Sequence, residues 1–264
     1  MEILHTYVVL AYKESEYLED CIKSVLNQNY KSKVIIATST PNNYISDLAD
    51  KYHLEICINP YPGKGIGYDF DYAISCGQTN LVTVAHQDDL YDKNYSLEIV
   101  KAYNKNRSST ILFTDYYEIR ENGIVKSNLN LKIKRILLLP LHFRKLSKVK
   151  FVKRLSLRFG NAICCPAVTF VKENIKSNDI FKCDFKCDVD WYAWEKLSKQ
   201  KGMFTFINQQ LMGHRVHSDS TTTEIISERI RTKEDLAMFK KFWPKSISLL
   251  INKFYVKAED SNFK

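Results

Sequence analysis

Apolar positions in the first hundred residues switch between two periods. "TYVVLAY" and "KVIIATS" are short, β-branched runs, whereas "SEYLEDCIKSVLNQNY" places Leu18, Ile22, Val25 and Leu26 at helical spacing behind Ser15, a candidate cap. Asn43 is placed to cap a short helix reaching Tyr52, "LEICIN" reads as a third strand, and 68–76 as a helix. A central strand, a helix over 95–105 and the strand "TILFT" follow, and strands alternating with helices predict a parallel sheet with right-handed crossovers. "YYEIRENGIVKS" predicts a hairpin about Asn122-Gly123. Later, "GNAICCPAVTF" is strand-like, "CDVDWYAWEKLSKQ" predicts a helix entered through Asp188 and Asp190, and "MFTFINQQLMGHRVHSDST" suggests two strands ending in His214, Arg215 and His217. Helices over about 224–242 and 244–254 close the chain.

The pattern breaks most abruptly in "LVTVAHQDDLY". Leu81, Val82, Val84 and Ala85 suit a parallel strand covered on both faces, and ligands in such sheets bind beyond the carboxyl ends of strands. Asp88 and Asp89 stand at that end, where adjacent acids can hold a hard divalent cation and the cation can neutralise a diphosphate. The alternative is a helix N-cap ahead of Leu90 and Tyr91. "PYPGKGIG" resembles a phosphate loop only superficially: its glycines do not give GxGxxG, and no Ser or Thr follows Lys64, so it reads as a flexible turn.

Composition narrows the picture. With 264 residues and 45% hydrophobic content, the chain can bury one large core, with or without an appended lobe. No apolar run approaches the roughly 18 residues of a membrane span, and the N-terminus lacks the order of a signal peptide, so a cytoplasmic location is expected. Seven cysteines without a CxxC pair argue for reduced thiols and against zinc. The net charge of +9 fits nucleic acid, anionic lipid or a phosphorylated ligand. Its distribution is more telling: 131–159 holds ten Lys and Arg residues, no acid, and many interleaved Leu, Ile, Val and Phe. Such a segment either lies on an anionic membrane or forms an exposed helix pair whose apolar side packs on the core.

Taken in order, four stretches resemble family 2 of the inverting GT-A glycosyltransferases. "YVVLAYKESEYLEDCIKSVLNQNY" is similar to the family's opening strand and helix, "AHQDD" to its acidic signature with His86 in place of the first Asp, "VDWYAWEKL" to its later helix signature, and "RVHSDST" to a strand-end motif. The HQDD form, with "FWPK" near the C-terminus, resembles a subgroup acting in bacterial surface and capsular polysaccharide synthesis. The resemblance implies a GT-A, Rossmann-like, mostly parallel central sheet flanked by helices, with a C-terminal helical extension. It implies a nucleotide-sugar-binding half over 1–125, an acceptor-binding and catalytic half over 126–222 that contains the basic insert, and C-terminal helices over 223–264.

The implied chemistry is transfer of a sugar from a nucleoside diphosphate sugar to a hydroxyl of a glycan or lipid-linked acceptor. Asp88 would be the main ligand of Mn2+ or Mg2+, Asp89 a direct or water-mediated second, and His217 a third. Asp190 would take the proton of the acceptor hydroxyl, with Asp188 tuning it through like charge. Tyr12, Glu14, Thr38, Ser39, Asp71, Gln87 and Asp88 would hold the nucleotide sugar. The sequence departs from the family where Thr38 and Ser39 replace acids at the second strand end, and around Phe70 and Asp71. Rival readings are a basic nucleic-acid-binding module, which lacks its usual signatures, and a sugar-phosphate nucleotidyltransferase, whose glycine-rich opening is missing from "VVLAYKES". No nucleic acid is expected, and the basic insert is expected either to sit peripherally on the inner face of the plasma membrane or to hold a phosphorylated acceptor in a groove.

Overall fold

The computed structural model describes residues 3–216 and 228–260. β1 (His5–Ala11), β2 (Lys33–Thr38), β3 (Glu55–Ile58) and β4 (Leu81–His86) alternate with α1 (Leu18–Leu26), α2 (Asn43–Tyr52) and α3 (Ile66–Cys76). The four strands pair in parallel in the order β3-β2-β1-β4. Side chains alternate across this sheet with period two. Tyr7 and Val9 enter one apolar layer with Leu18, Ile22, Ile45 and Ile99 of α4 (Tyr95–Lys105). Val8, Val82 and Val84 enter the other, with Phe70 and Ala73 of α3 and Trp191 and Trp194 of α7 (Val189–Ser198).

Past β4 the sheet becomes mixed. β8 (Val168–Val171) runs antiparallel between β4 and β6 (Ser109–Arg120), and β6 pairs in parallel with β9 (Met203–Arg215). Short β5 (Leu90–Tyr91) pairs antiparallel with β9, and β7 (Gly123–Val125) with β6. The result is a mixed α/β fold around one central sheet. The remaining described helices are α5 (Leu129–Leu138), α6 (Lys150–Leu155), α8 (Glu228–Phe239) and α9 (Lys245–Asp260), and among the described residues no helix is long and apolar enough to cross a membrane.

Several local expectations shift. The two strands anticipated after Met203 are one strand: Asn208 and Gln209 are exposed extra residues between the pairs Thr114–Ile207 and Asp115–Gln210, so a bulge imitates a break. The cap of α2 is Asn42, whose side chain accepts the N–H of Ile45 at 2.9 Å, with Asn43 the first helical residue. Ser15 does not cap α1; its carbonyl receives the N–H of Leu18 in the turn that precedes the helix. The hairpin turn falls on Glu121-Asn122, with Gly123 supplying a φ of +114° on the returning strand.

Candidate active site

β4 stops at His86 because the chain turns there: the N–H of Asp89 donates to the His86 carbonyl at 3.2 Å, and Leu90 then pairs with Gly213 of β9. Asp88 and Asp89 thus lie in a strand-to-strand turn, and the helix-cap alternative falls. Pairing with β9 brings a second strand end to the acids. The fully buried Asp89 carboxylate accepts the backbone N–H of Arg215 at 2.8 Å and lies 3.1 Å from His214 Nδ1, all through Oδ1. Arg215 Nε donates to the Asp88 carbonyl at 2.9 Å, fastening the turn from its other side. Asp89 Oδ2 and His86 Nε2 are buried and have no hydrogen-bond partner among the described residues. One ligand atom each from His86, Asp88 and Asp89 fall within 4.8 Å of one another. Buried orphan donors beside a third ligand atom fit a divalent cation. Burial works against charge on His214, but Asp89 beside it outweighs that and raises its pKa. His217 lies outside the described residues; His214 is the histidine that β9 delivers to the acids.

Gln87 joins this turn to the first strand. Its side chain accepts the Tyr12 N–H at 2.9 Å and donates to the Tyr12 carbonyl at 3.1 Å, and Tyr12 is 43% exposed at the sheet's carboxyl edge. Thr38 is buried and its hydroxyl accepts the N–H of Thr40, so it shapes the loop after β2. Ser39 donates to Asp69 Oδ2 at 3.2 Å, and Asn59 donates to Asp69 Oδ1 at 2.8 Å. Asp69 therefore supplies, from α3, a carboxylate at the end of β2 where the sequence has only hydroxyls. Glu14 is exposed in the loop after β1.

Asp71 corrects an expectation. Expected at the nucleotide sugar, its buried carboxylate instead accepts the backbone N–H groups of Ile180, Phe181 and Lys182 at 2.8–3.1 Å. Gly67, one turn earlier on α3, permits that contact, because a Cβ there would stand 2.6 Å from the Phe181 carbonyl oxygen. The glycine serves packing and not phosphate. Replacing Asp71 with Ala is expected to cost about 3 kcal/mol, as three backbone donors lose a charged acceptor, and to leave donor affinity unchanged. Urea denaturation and nucleotide titration of one sample separate the two effects.

The segment after Lys182 has a second anchor. Glu234 of α8 accepts the N–H groups of Lys186, Cys187 and Asp188 at 2.7–3.1 Å, immediately before α7 begins. Asp190, in the first turn of α7, accepts from Asn161 Nδ2 at 2.6 Å and from the Trp191 N–H at 2.7 Å. Burial raises its pKa despite those two donors. Asp188 is pushed well above the carboxylate range, first by burial and then by Asp235 and Asp190. Asp190 thus acts on Asp188 through like charge, raising the Asp188 carboxyl further. The Cys164 thiol is raised by burial and then by the fields of Asp89 and, more weakly, Asp190. Lys134 of α5 donates to the Tyr116 hydroxyl at 2.9 Å and lowers the pKa of Asp190 through its charge.

The family model for glycosyl transferase family 2 matches residues 6–172, more than half of the chain. The chain belongs to glycosyl transferase family 2. No curated protein matches it in sequence. In structure this glycosyltransferase is similar to S. aureus TarS residues 1–349 in complex with UDP-GlcNAc, at 13% identity and a TM-score of 0.64, over 95% of this chain and 70% of that one. It is also similar to the mannosyltransferase PcManGT from Pyrobaculum calidifontis in complex with GDP-Man and Mn2+, at 12% identity and a TM-score of 0.60, over 96% and 69%. At such identities the likeness establishes the fold, which is of the GT-A type.

Four residues of this glycosyltransferase's candidate site carry no signal that sequence reasoning used: Asp69, Asn161, Lys134 and Glu234. Each reaches its partner from at least 10 residues away, and for Asn161 and Glu234 the separation is 29 and 46 or more. His86 was visible only as a departure from the acidic signature.

Proposed function

We propose that this enzyme moves a sugar from a nucleoside diphosphate sugar to a hydroxyl of a glycan or lipid-linked acceptor, with inversion at the anomeric carbon, in bacterial surface polysaccharide synthesis. The observation that carries the reading is the cluster of His86, Asp88 and Asp89, with its buried unpartnered atoms, at the carboxyl end of β4 in a family 2 fold. Asp88, the free oxygen of Asp89 and His86 would hold Mn2+ or Mg2+, and one imidazole beside carboxylates favours Mn2+. When bound, the ion supplies positive charge against the diphosphate leaving group. The UDP-GlcNAc complex of TarS and the GDP-Man and Mn2+ complex of PcManGT support a donor and an ion of these classes.

The chain's own residues do the rest. Tyr12, held by Gln87, offers an exposed ring for a nucleobase at the edge of the sheet, and Asp69 with Ser39 and Asn59 offers acceptors and donors to the base edge or ribose. Asp190 accepts the proton of the acceptor hydroxyl as that oxygen attacks the face opposite the leaving group. Asn161 and the Trp191 N–H keep the carboxylate aimed, and burial keeps it basic. In this scheme 1–125 holds the donor, 126–222 the acceptor and catalytic base, and 223–264 the helices behind them. The test is a hydrolysis and transfer screen across UDP-, GDP- and dTDP-sugars with Mn2+, Mg2+ or EDTA. Release of a nucleoside diphosphate that EDTA abolishes is expected for at least one donor; if no donor responds to the metal, the scheme fails.

A further inference from the structure

The basic segment divides between two destinations. Lys134 and Arg135 turn inward to Tyr116 and Asp115, Lys153 is fully buried with its ammonium on the carbonyls of Gln200 and Gly202, and Arg154 pairs with Glu195. Leu131, Leu138, Leu141 and Leu157 are likewise buried. The rest face out. On α5, Leu129, Ile133 and Ile136 recur at i, i+4 and i+7 opposite buried Leu131 and Leu138, so this helix is apolar on both faces and the core covers only one. Downstream, Leu139, Phe143, Leu146, Val149 and Phe151 are 41–66% exposed. Among them stand exposed Lys132, Arg144, Lys145, Lys148 and Lys150, none ion-paired among the described residues. At the edge of the face Phe151 also lines a cleft of about 210 Å3 with Arg154, Leu155, Arg158 and Phe242.

We infer that this outer face of 129–151 docks the enzyme on an anionic lipid bilayer. Charge decides the occupant. An apolar protein partner would meet five uncompensated cations, whereas an anionic bilayer supplies negative headgroups for the cations and an acyl boundary for Ile136, Phe143 and Phe151 in one plane. Nucleic acid would match the charge but leave isolated aliphatic side chains such as Ile133, Ile136 and Leu139 against phosphate and sugar. The inward set of bases is already matched by acids, hydroxyls and carbonyls, so the surface functions independently of the candidate active site.

The test uses the full chain and vesicles of phosphatidylcholine, with or without about one-third phosphatidylglycerol. Sedimentation with the anionic vesicles at low ionic strength is expected, with little on phosphatidylcholine alone and release as salt rises. Arg144 donates to the Lys105 carbonyl and is left intact. Changing Lys132, Lys145, Lys148 and Lys150 together to Gln is expected to weaken partitioning by about 600-fold, since each base near an anionic leaflet is worth about fivefold. Phe143→Ser with Phe151→Ser is expected to weaken it about tenfold while leaving the salt dependence in place. Circular dichroism melts of both variants should match the wild type, because every altered side chain is exposed. Failure of the wild type to sediment with anionic vesicles at low salt overturns the proposal, as does a quadruple Gln variant that binds like the wild type. A concentration-dependent dimer broken by the Phe substitutions, without vesicle binding, would assign the face to a second copy instead.

Discussion

Asp190→Asn is expected to bind donor normally and to lose about 10² to 10⁴ in turnover, because an amide cannot accept the acceptor's proton. The fold should persist, since the Asn side-chain oxygen can still receive the Trp191 N–H. A pH profile adds a reading that a structural role would not move. Burial raises the Asp190 pKa. The base works only when deprotonated, so activity should fall with acid through a value above the ordinary carboxylate range near pH 4. Asn161 favours the charged form by donating to it, so Asn161→Ala should shift that acid limb to higher pH. Wild-type turnover in Asp190→Asn at saturating acceptor would remove Asp190 from the role.

Asp88→Asn should abolish the metal response of donor binding and lower transfer by about 10³-fold, the several kcal/mol that a cation at a leaving group supplies. The turn itself should survive, because it is held through backbone: the Asp89 N–H on the His86 carbonyl, and Arg215 Nε on the Asp88 carbonyl. Asp89→Asn should behave differently. Its side chain joins β5 to β9 through Arg215 and His214 while fully buried, so a drop in melting temperature should accompany any loss of metal response. Isothermal titration of UDP and GDP with and without Mn2+, alongside thermal melts, distinguishes the two acids. An unchanged Mn2+ response in Asp88→Asn would overturn its assignment.

The parts of this fold that were legible in the sequence are those governed by local periodicity. β1 to β4 and their helices follow from apolar runs and helical spacing, and the end of β4 was marked by an apolar run cut off at two acids. What escaped depended on distant pairing. Nothing local to Glu234 says that it will receive three N–H groups from 186–188, and nothing near Asp69 says that it will stand at the end of β2. Asp71 shows the converse, since the family resemblance implied a ligand role, but a segment more than a hundred residues away claims its carboxylate. The basic stretch 131–159 was legible as composition only. Helical phase and burial were needed to see that Lys134 and Lys153 serve the interior while Lys145 and Lys148 do not.

The two carboxylates that grip 180–188 have a consequence for how the chain can be divided. Asp71 holds the start of this segment from α3, and Glu234 holds its end from α8, so the approach to Asp188 and Asp190 is a strap buckled at two points. The family match stops at residue 172, before the strap begins. A fragment cut at residue 222 would retain β1 to β9 and Asp88, Asp89, Asp188 and Asp190, yet lose Glu234 and so release the buckle at 186–188. Such a fragment should still bind donor while transfer collapses, and Glu234→Ala in the full chain should reproduce the defect with a turnover loss of about a hundredfold, the effect of moving a catalytic group by roughly 1 Å. The C-terminal helices would then be inseparable from catalysis although they lie outside the shared family region, and grafting acceptor preference between relatives by exchanging segments up to residue 172 alone would leave the base under the control of the recipient's tail.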